Sequence, residues 1–175
     1  ALFNIRENDF LDIMKDLGYP ITNPNKFISD NIQYYIQRTT HGSTLSRIVY
    51  SMLLLKVNDD KQAWKLFYEA LTSDYYDIQG GTTAEGIHLG VMGATLNVVT
   101  SYFAGIDYRG DQLDINPHMP KQWKKITFNM LFKGVKFAFE VTQDTITIVA
   151  DKDTEVQFIG KDLPLTANQE IELTY

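Results

Sequence analysis

The sequence predicts an α+β chain, with helices first and an antiparallel sheet or half a sandwich second. Three observations carry this expectation. Before about residue 107, apolar residues recur at the i, i+3, i+4 spacing of an amphipathic helix. After it they alternate, the period of a strand with one face buried. Gly, Asn and Asp turn signals separate the alternating runs. The change of period divides the chain into a helical part, 1–106, and a sheet part, 107–175.

Residues 8–17, NDFLDIMKDL, read as the first helix, with Asn8 as cap, Gly18 as stop and Phe10, Ile13, Met14 and Leu17 as its stripe. YPITNPNKF, with two prolines, reads as loop. SDNIQYYIQR follows as a helix capped by Ser29. Residues 44–57 form the next helix, with Leu45, Ile48, Val49, Met52 and Leu53 on one side. NDDKQ breaks it, and 61–72 form another on Ala63, Leu66, Phe67, Ala70 and Leu71. DIQGGTTAEGIHLG then opens a long helix through about residue 103. Gly86, Gly90 and Gly93 inside that helix would together weaken it by about 3 kcal/mol relative to Ala.

In the sheet part, Ile126, Phe128, Met130 and Phe132 point one way, as do Val135, Phe137, Phe139 and Val141. Lys133 and Gly134 make the tight turn between these runs. TITIVA, EVQFIG and EIELTY continue the series, with turns at 143–144, 151–153 and 161–168.

The bulk composition narrows the function. With 175 residues and 44% hydrophobic content the chain can bury a core. A net charge of −6 argues against general nucleic-acid binding. No cysteine means no disulfide framework and no zinc–thiolate site, which fits a reducing, cytoplasmic setting. No apolar run approaches the length of a membrane span, and no leader resembles a signal peptide. A first residue of Ala rather than Met reads as a fragment or a processed chain.

The three histidines are His41, His88 and His118. His41 precedes a helix start in TTHGSTLS, where Gly42 and Ser43 can offer N–H groups and a hydroxyl to an anion; the alternative for Ser43 is a plain N-cap. His88 lies three residues after Glu85, so on a helix the two would share a face. Gly80 and Gly81 permit close approach of a ligand to the backbone. His118 lies in a loop between prolines and reads as structural. Two histidine-bearing turns before helix starts describe one pocket built from two helix N-termini, suited to phosphate or a sugar. No G-x-x-x-x-G-K-[ST] loop and no Ser-His-Asp arrangement is present.

YYIQRTTHGSTLSRIVY, DIQGGTTAEGIHLGVMGAT and DYRGDQLDINPHMPKQWKKITFNMLFKGVKFAFEV resemble the C-terminal part of glycoside hydrolase family 65. That family contains phosphorylases of maltose, trehalose, kojibiose and similar α-glucosides, and some trehalose hydrolases. The resemblance implies the last helices of an (α/α)6 barrel followed by a β-sandwich. It implies that loops 41–46 and 80–88 line the catalytic pocket and help hold inorganic phosphate, the co-substrate, with no cofactor or metal. His88 carries over first, then Ser43 and Thr44, then His41, Gly81, Thr82, Thr83 and Glu85. The partners implied are an α-linked glucose disaccharide, phosphate and the rest of the barrel, with a homodimer as a further arrangement and no nucleic acid or membrane. The family's general-acid Glu and its Lys-Gln sugar motif lie upstream of these motifs, so no catalytic residue is expected in this chain, and it is expected to be inactive alone. The other readings are a trehalase-like hydrolase of the same family and a non-catalytic carbohydrate-binding or interaction module.

Overall fold

The computed structural model describes residues 5–81, 84 and 86–175, and the chain divides into two units, Ala1–Val98 and Val99–Tyr175. The first holds five α-helices among its described residues.

Helix α1 (Glu7–Asp16) has Arg6 at its N-cap, with no side-chain cap bond, and Asn8 lies inside it rather than capping it. Its end follows the expectation. Gly18 takes φ +83, and the N–H groups of Gly18 and Tyr19 bond Lys15 O and Met14 O at 3.0 and 2.9 Å, the closing pair of a Schellman motif. No residue of α1 is buried.

Helix α2 (Pro24–Ile36) corrects the loop reading of the preceding segment. Asn23 caps it by accepting from Lys26 N–H at 3.1 Å, and Pro24 supplies a preset φ at the first helical position. Ser29, the expected cap, sits within the helix. Ile28, Ile32 and Ile36 form its buried stripe.

Helix α3 (Thr44–Lys56) begins at Ser43, whose Oγ accepts from Leu45 N–H at 3.3 Å. Helix α4 (Asp60–Leu71) is capped by Asp59, which accepts from Gln62 N–H at 3.2 Å. The short turn between them folds α4 back on α3, and the buried Ser51 hydroxyl donates to Ala63 O at 2.8 Å. Leu54, Ala63 and Leu66 pack with the α2 isoleucines. Ile48, Met52 and Phe67 are completely buried, whereas Leu45, expected in the stripe, is half exposed.

Helix α5 (Leu89–Asn97) packs on α3 and α4 but starts later than the sequence predicts. Gly86 has φ +130, a backbone no α-helix continues through, so the helix carries two of the three glycines rather than all of them. From Val98 to Phe103 the chain winds as a π-helix, within which the two units divide.

The second unit contains two four-stranded sheets. One has the order β1 (Ile106–Asp107), β2 (Asp114–Ile115), β6 (Thr154–Phe158), β7 (Lys161–Leu165). The other has the order β3 (Ile126–Phe132), β4 (Val135–Val141), β5 (Thr145–Ala150), β8 (Glu170–Thr174). All pairs are antiparallel except β2 with β6. Lys133 and Gly134, at φ 47 and 80, close the β3–β4 hairpin with Phe132 opposite Val135, as the sequence predicts. The segment expected as a turn, 161–168, instead begins with β7. Its Pro164 is tolerated because β7 is an end strand with no second neighbour.

Phe137, Phe139, Ile146 and Ile148 from one sheet share a core with Ile106, Ile115, Val156 and Leu165 from the other, making a sandwich. Gly105 is required where the chain crosses itself. Its φ is +71, and a Cβ there would stand 1.9 Å from Asn116 O. Gly105 O accepts from Asn116 N–H at 2.9 Å, and Phe103 O from His118 N–H at 2.9 Å, so His118 belongs to this crossing.

Candidate functional site

The first unit carries the site residues. His41 has φ 52, in the left-handed region that His adopts more readily than most residues, and it turns the chain into Gly42 and the start of α3. The Ser46 hydroxyl donates to Ser43 O at 2.7 Å and so receives the His41 Nδ1–H at 3.0 Å. The neutral ring then presents Nε2 as an acceptor. Burial, and then the adjacent Arg47 charge, push the His41 pKa below its ordinary 6.5, against an opposing pull from Glu69. Arg47 Nε donates to Glu69 at 3.2 Å, while its Nη1 is buried without a partner among the described residues. His41 also meets the Tyr50 ring edge-on, with centroids 5.4 Å apart. Ser43 is exposed, and Thr44, the first residue of α3, is buried.

The second loop is held by two aspartates. Asp77, at φ 47, accepts the Gly81 N–H at 2.6 Å, closing a tight turn around Gly80 and Gly81, which both have positive φ. Asp74 accepts twice from one residue: the His88 backbone N–H at 2.9 Å and its ring Nδ1 at 2.5 Å. These hydrogen bonds from His88 hold the Asp74 carboxyl below its ordinary 3.8. His88 is the N-cap residue of α5, not part of its first turn. His88 thus stands outside the helix on which the sequence predicts a face shared with Glu85. Glu85, Thr82 and Thr83 lie outside the described residues.

The structure ties the two loops together. Gln79 Nε2 donates to Gly42 O at 2.6 Å, across 37 positions of sequence. The first turns of α3 and α5 lie side by side, since a Cβ on Gly90 would touch Leu45 Cδ2 at 3.8 Å. His41, Ser43, Gly81 and His88 thus sit on two loops that a hydrogen bond joins, at the starts of two neighbouring helices. Such ends carry the positive pole of the helix dipole, although Leu45 N–H is bonded to Ser43 Oγ and Leu89 N–H to Ile87 O. Sequence reading misses Asp74, Gln79 and Arg47. Arg47 has a findable signal, as the cation three residues into a helix that follows His41; Asp74 and Gln79 have no local one. Among the described residues no three His, Asp or Glu side chains cluster as a metal site, and no helix is long and apolar enough to cross a membrane.

Comparison with known proteins places both parts of the chain. Residues 5–97 match the glycosyl hydrolase family 65 central catalytic domain, and residues 106–165 match the family's C-terminal domain. Trehalose 6-phosphate phosphorylase of Lactococcus lactis subsp. lactis is 38% identical over 95% of this chain and 21% of its own length. Kojibiose phosphorylase of Thermoanaerobacter brockii is 34% identical over 92% of this chain and 21% of its own. A solved human-microbiome structure assigned as a kojibiose phosphorylase superposes with a TM-score of 0.76 at 27% identity, covering 86% of this chain and 22% of that one. The chain therefore spans about a fifth of the length of these relatives. With the catalytic-domain match covering more than half its residues and the C-terminal match following in order, the chain belongs to glycosyl hydrolase family 65.

Proposed function

We propose that the chain is the C-terminal part of an inverting α-glucoside phosphorylase, and that its two joined loops hold the attacking phosphate. The observation that carries this is the Gln79–Gly42 bond, which joins the His41 and His88 loops where α3 and α5 begin. An inverting hydrolase needs a carboxylic acid for the leaving group and a carboxylate base to activate water. A phosphorylase keeps the acid, but its nucleophile is already an anion. It therefore needs hydrogen-bond donors around phosphate where the hydrolase needs its base.

In this reading a phosphate oxygen attacks the anomeric carbon from the face opposite the glycosidic bond. The bond breaks, the general acid of the upstream domain protonates the leaving oxygen, and β-glucose 1-phosphate is released. His88 and the Ser43 hydroxyl are the donors, beside the positive ends of α3 and α5, and the Gly81 turn, its own N–H held by Asp77, gives the anion close approach to the backbone. Thr44, Thr82 and Thr83 complete the set on the family resemblance, and Glu85 lines the pocket with them as an acceptor. His41, neutral with Nε2 as acceptor, suits a sugar hydroxyl better than an anion.

The apolar surface agrees with a chain that needs the rest of its barrel. Leu89 and Leu96 of α5 are 78% and 70% exposed, and no residue of α1 is fully buried. The chain alone is then inactive, and turnover of any α-glucoside by the isolated chain would overturn that part. A cytoplasmic location goes with the reading.

The test is the intact parent enzyme with maltose, trehalose, trehalose 6-phosphate, kojibiose and nigerose, with and without phosphate. Glucose 1-phosphate formed only with phosphate supports the proposal. Free glucose released without phosphate makes the parent a hydrolase.

A further inference from the structure

Asp74 lies 14 positions before His88, yet it accepts both hydrogen-bond donors that a histidine can aim at one carboxylate, the ring Nδ1–H at 2.5 Å and the backbone N–H at 2.9 Å. The side chain of Asp74 is 13% exposed and that of His88 33%, so the carboxylate sits behind the ring and the ring faces outward. Two bonds from one carboxylate to one residue fix more than contact. The backbone bond sets where His88 leaves the loop to cap α5, and the ring bond sets the rotation of the imidazole and its tautomer.

We propose that Asp74 is the positioning residue of this site: it pins the His88 imidazole by Nδ1 and so leaves Nε2 as the nitrogen that meets phosphate. This rests on the phosphorylase reading above. With phosphate bound, the ring lies between two anions, and a proton on each nitrogen satisfies both. Without the carboxylate, nothing on the Nδ1 side selects that state. An asparagine at this position carries no charge: whether it accepts from Nδ1–H or offers its amide N–H to Nδ1, it does not support a ring with a proton on each nitrogen.

The experiment uses the full-length parent enzyme and four forms: wild type, Asp74→Asn, His88→Gln and the double variant. Asp74→Asn raises the phosphate KM about tenfold or more, the scale of a charge-assisted hydrogen bond, and leaves the disaccharide KM within about twofold. Asp74→Glu recovers part of the loss, because a carboxylate returns at a different reach. In the His88→Gln background Asp74→Asn adds little, because a residue that acts through His88 has nothing left to act on. A purely structural aspartate would instead add its full effect in the double variant and raise both KM values together, and that pattern overturns the proposal. An Asp74→Asn enzyme with unchanged phosphate KM overturns it as well. Wild-type turnover without phosphate sinks the phosphorylase reading and the proposal with it. Phosphate-dependent turnover with an indifferent Asp74 sinks only the role given to Asp74. Should Asp74→Asn fail to fold, Asp74→Glu and the His88→Gln pair still measure the coupling.

Discussion

The His41 and His88 loops are built alike and charged oppositely. Each histidine stands just before a helix, and each loop reaches the other through Gln79 and Gly42. His41 has the Arg47 guanidinium among its neighbours and gives its Nδ1 proton to a serine hydroxyl. His88 faces a carboxylate that accepts both of its N–H groups. One ring is held neutral with an acceptor to spare; the other stands against a negative charge that welcomes a donor on its far side. Similar loop position does not give similar chemistry; burial and the neighbouring charges decide it. On the proposed function, the two loops would divide the phosphorolysis between them, sugar hydroxyl on one side and phosphate on the other.

The largest expected effect breaks that division at its centre. His88→Gln in the parent enzyme lowers phosphate-dependent turnover about a hundredfold, the scale of one lost preorganised donor. His41→Gln acts on the disaccharide instead, raising its KM about tenfold with the phosphate KM nearly unchanged. Steady-state kinetics with each substrate varied in turn separates the two. Equal effects on both substrates from either variant would erase the distinction between the loops.

Ser43 tests whether the first loop serves its helix or its ligand. Its Oγ already accepts from Leu45 N–H, which is a full N-cap role. Ser43→Ala removes cap and hydroxyl together and destabilises by about 1 kcal/mol. Ser43→Asp keeps a good cap but sets a negative charge at the helix start. Stability then holds near wild type in a thermal melt, while the phosphate KM rises about tenfold or more. A Ser43→Asp enzyme with unaltered phosphate KM would leave Ser43 as a cap only.

Titration separates the loops along the pH axis. His41 has a folded pKa below its unfolded value of 6.5, so the unfolded chain binds the proton first. Its contribution to stability is complete above 6.5 and declines as pH falls below that value towards the folded one. Asp74 also has a depressed folded pKa, against an ordinary 3.8. Its contribution is present above 3.8 and is lost as pH falls through the folded value. His41→Gln therefore flattens the melting temperature below about pH 6.5, while Asp74→Asn lowers it evenly above about pH 4 and flattens it only below that. Arg47→Met narrows the His41 window only in part, since burial is the larger cause of the shift.

These contrasts bear on what is legible in the sequence. The β3–β4 hairpin is plain, because Lys133 and Gly134 sit between two alternating runs and each residue reports its own face. The start of helix α2 is hidden because two prolines outweigh the Asn23 and Pro24 start signal beside them. β7 is hidden for the same reason, since Pro164 reads as a breaker until the strand is known to be an edge. The cost of three helical glycines is a true signal with a different outcome: the chain avoids one of them by starting α5 after Gly86. Of the site, the histidines and Ser43 can be named from local pattern. Asp74 and Gln79 cannot, because their partners lie 14 and 37 positions away and only the packing of α3, α4 and α5 brings them near.

The smallest expected effect falls on the tie between the loops. The bond from Gln79 to Gly42 O is a single neutral hydrogen bond at the surface, a contribution of about 1 kcal/mol to holding the loops in register. Gln79→Leu keeps most of the side-chain bulk and removes the donor. Neither histidine loses its own partner, since Ser46 and Asp74 remain in place. The expected result is therefore a rise of about threefold to fivefold in both KM values, with kcat little changed, because binding would draw the loops together again at the expense of affinity. A loss confined to phosphate would show that Gln79 itself faces the anion rather than linking two independently built halves. No effect at all would mean that the packing of α3 against α5 at Leu45 and Gly90 already sets the register, and that the bond only reports it.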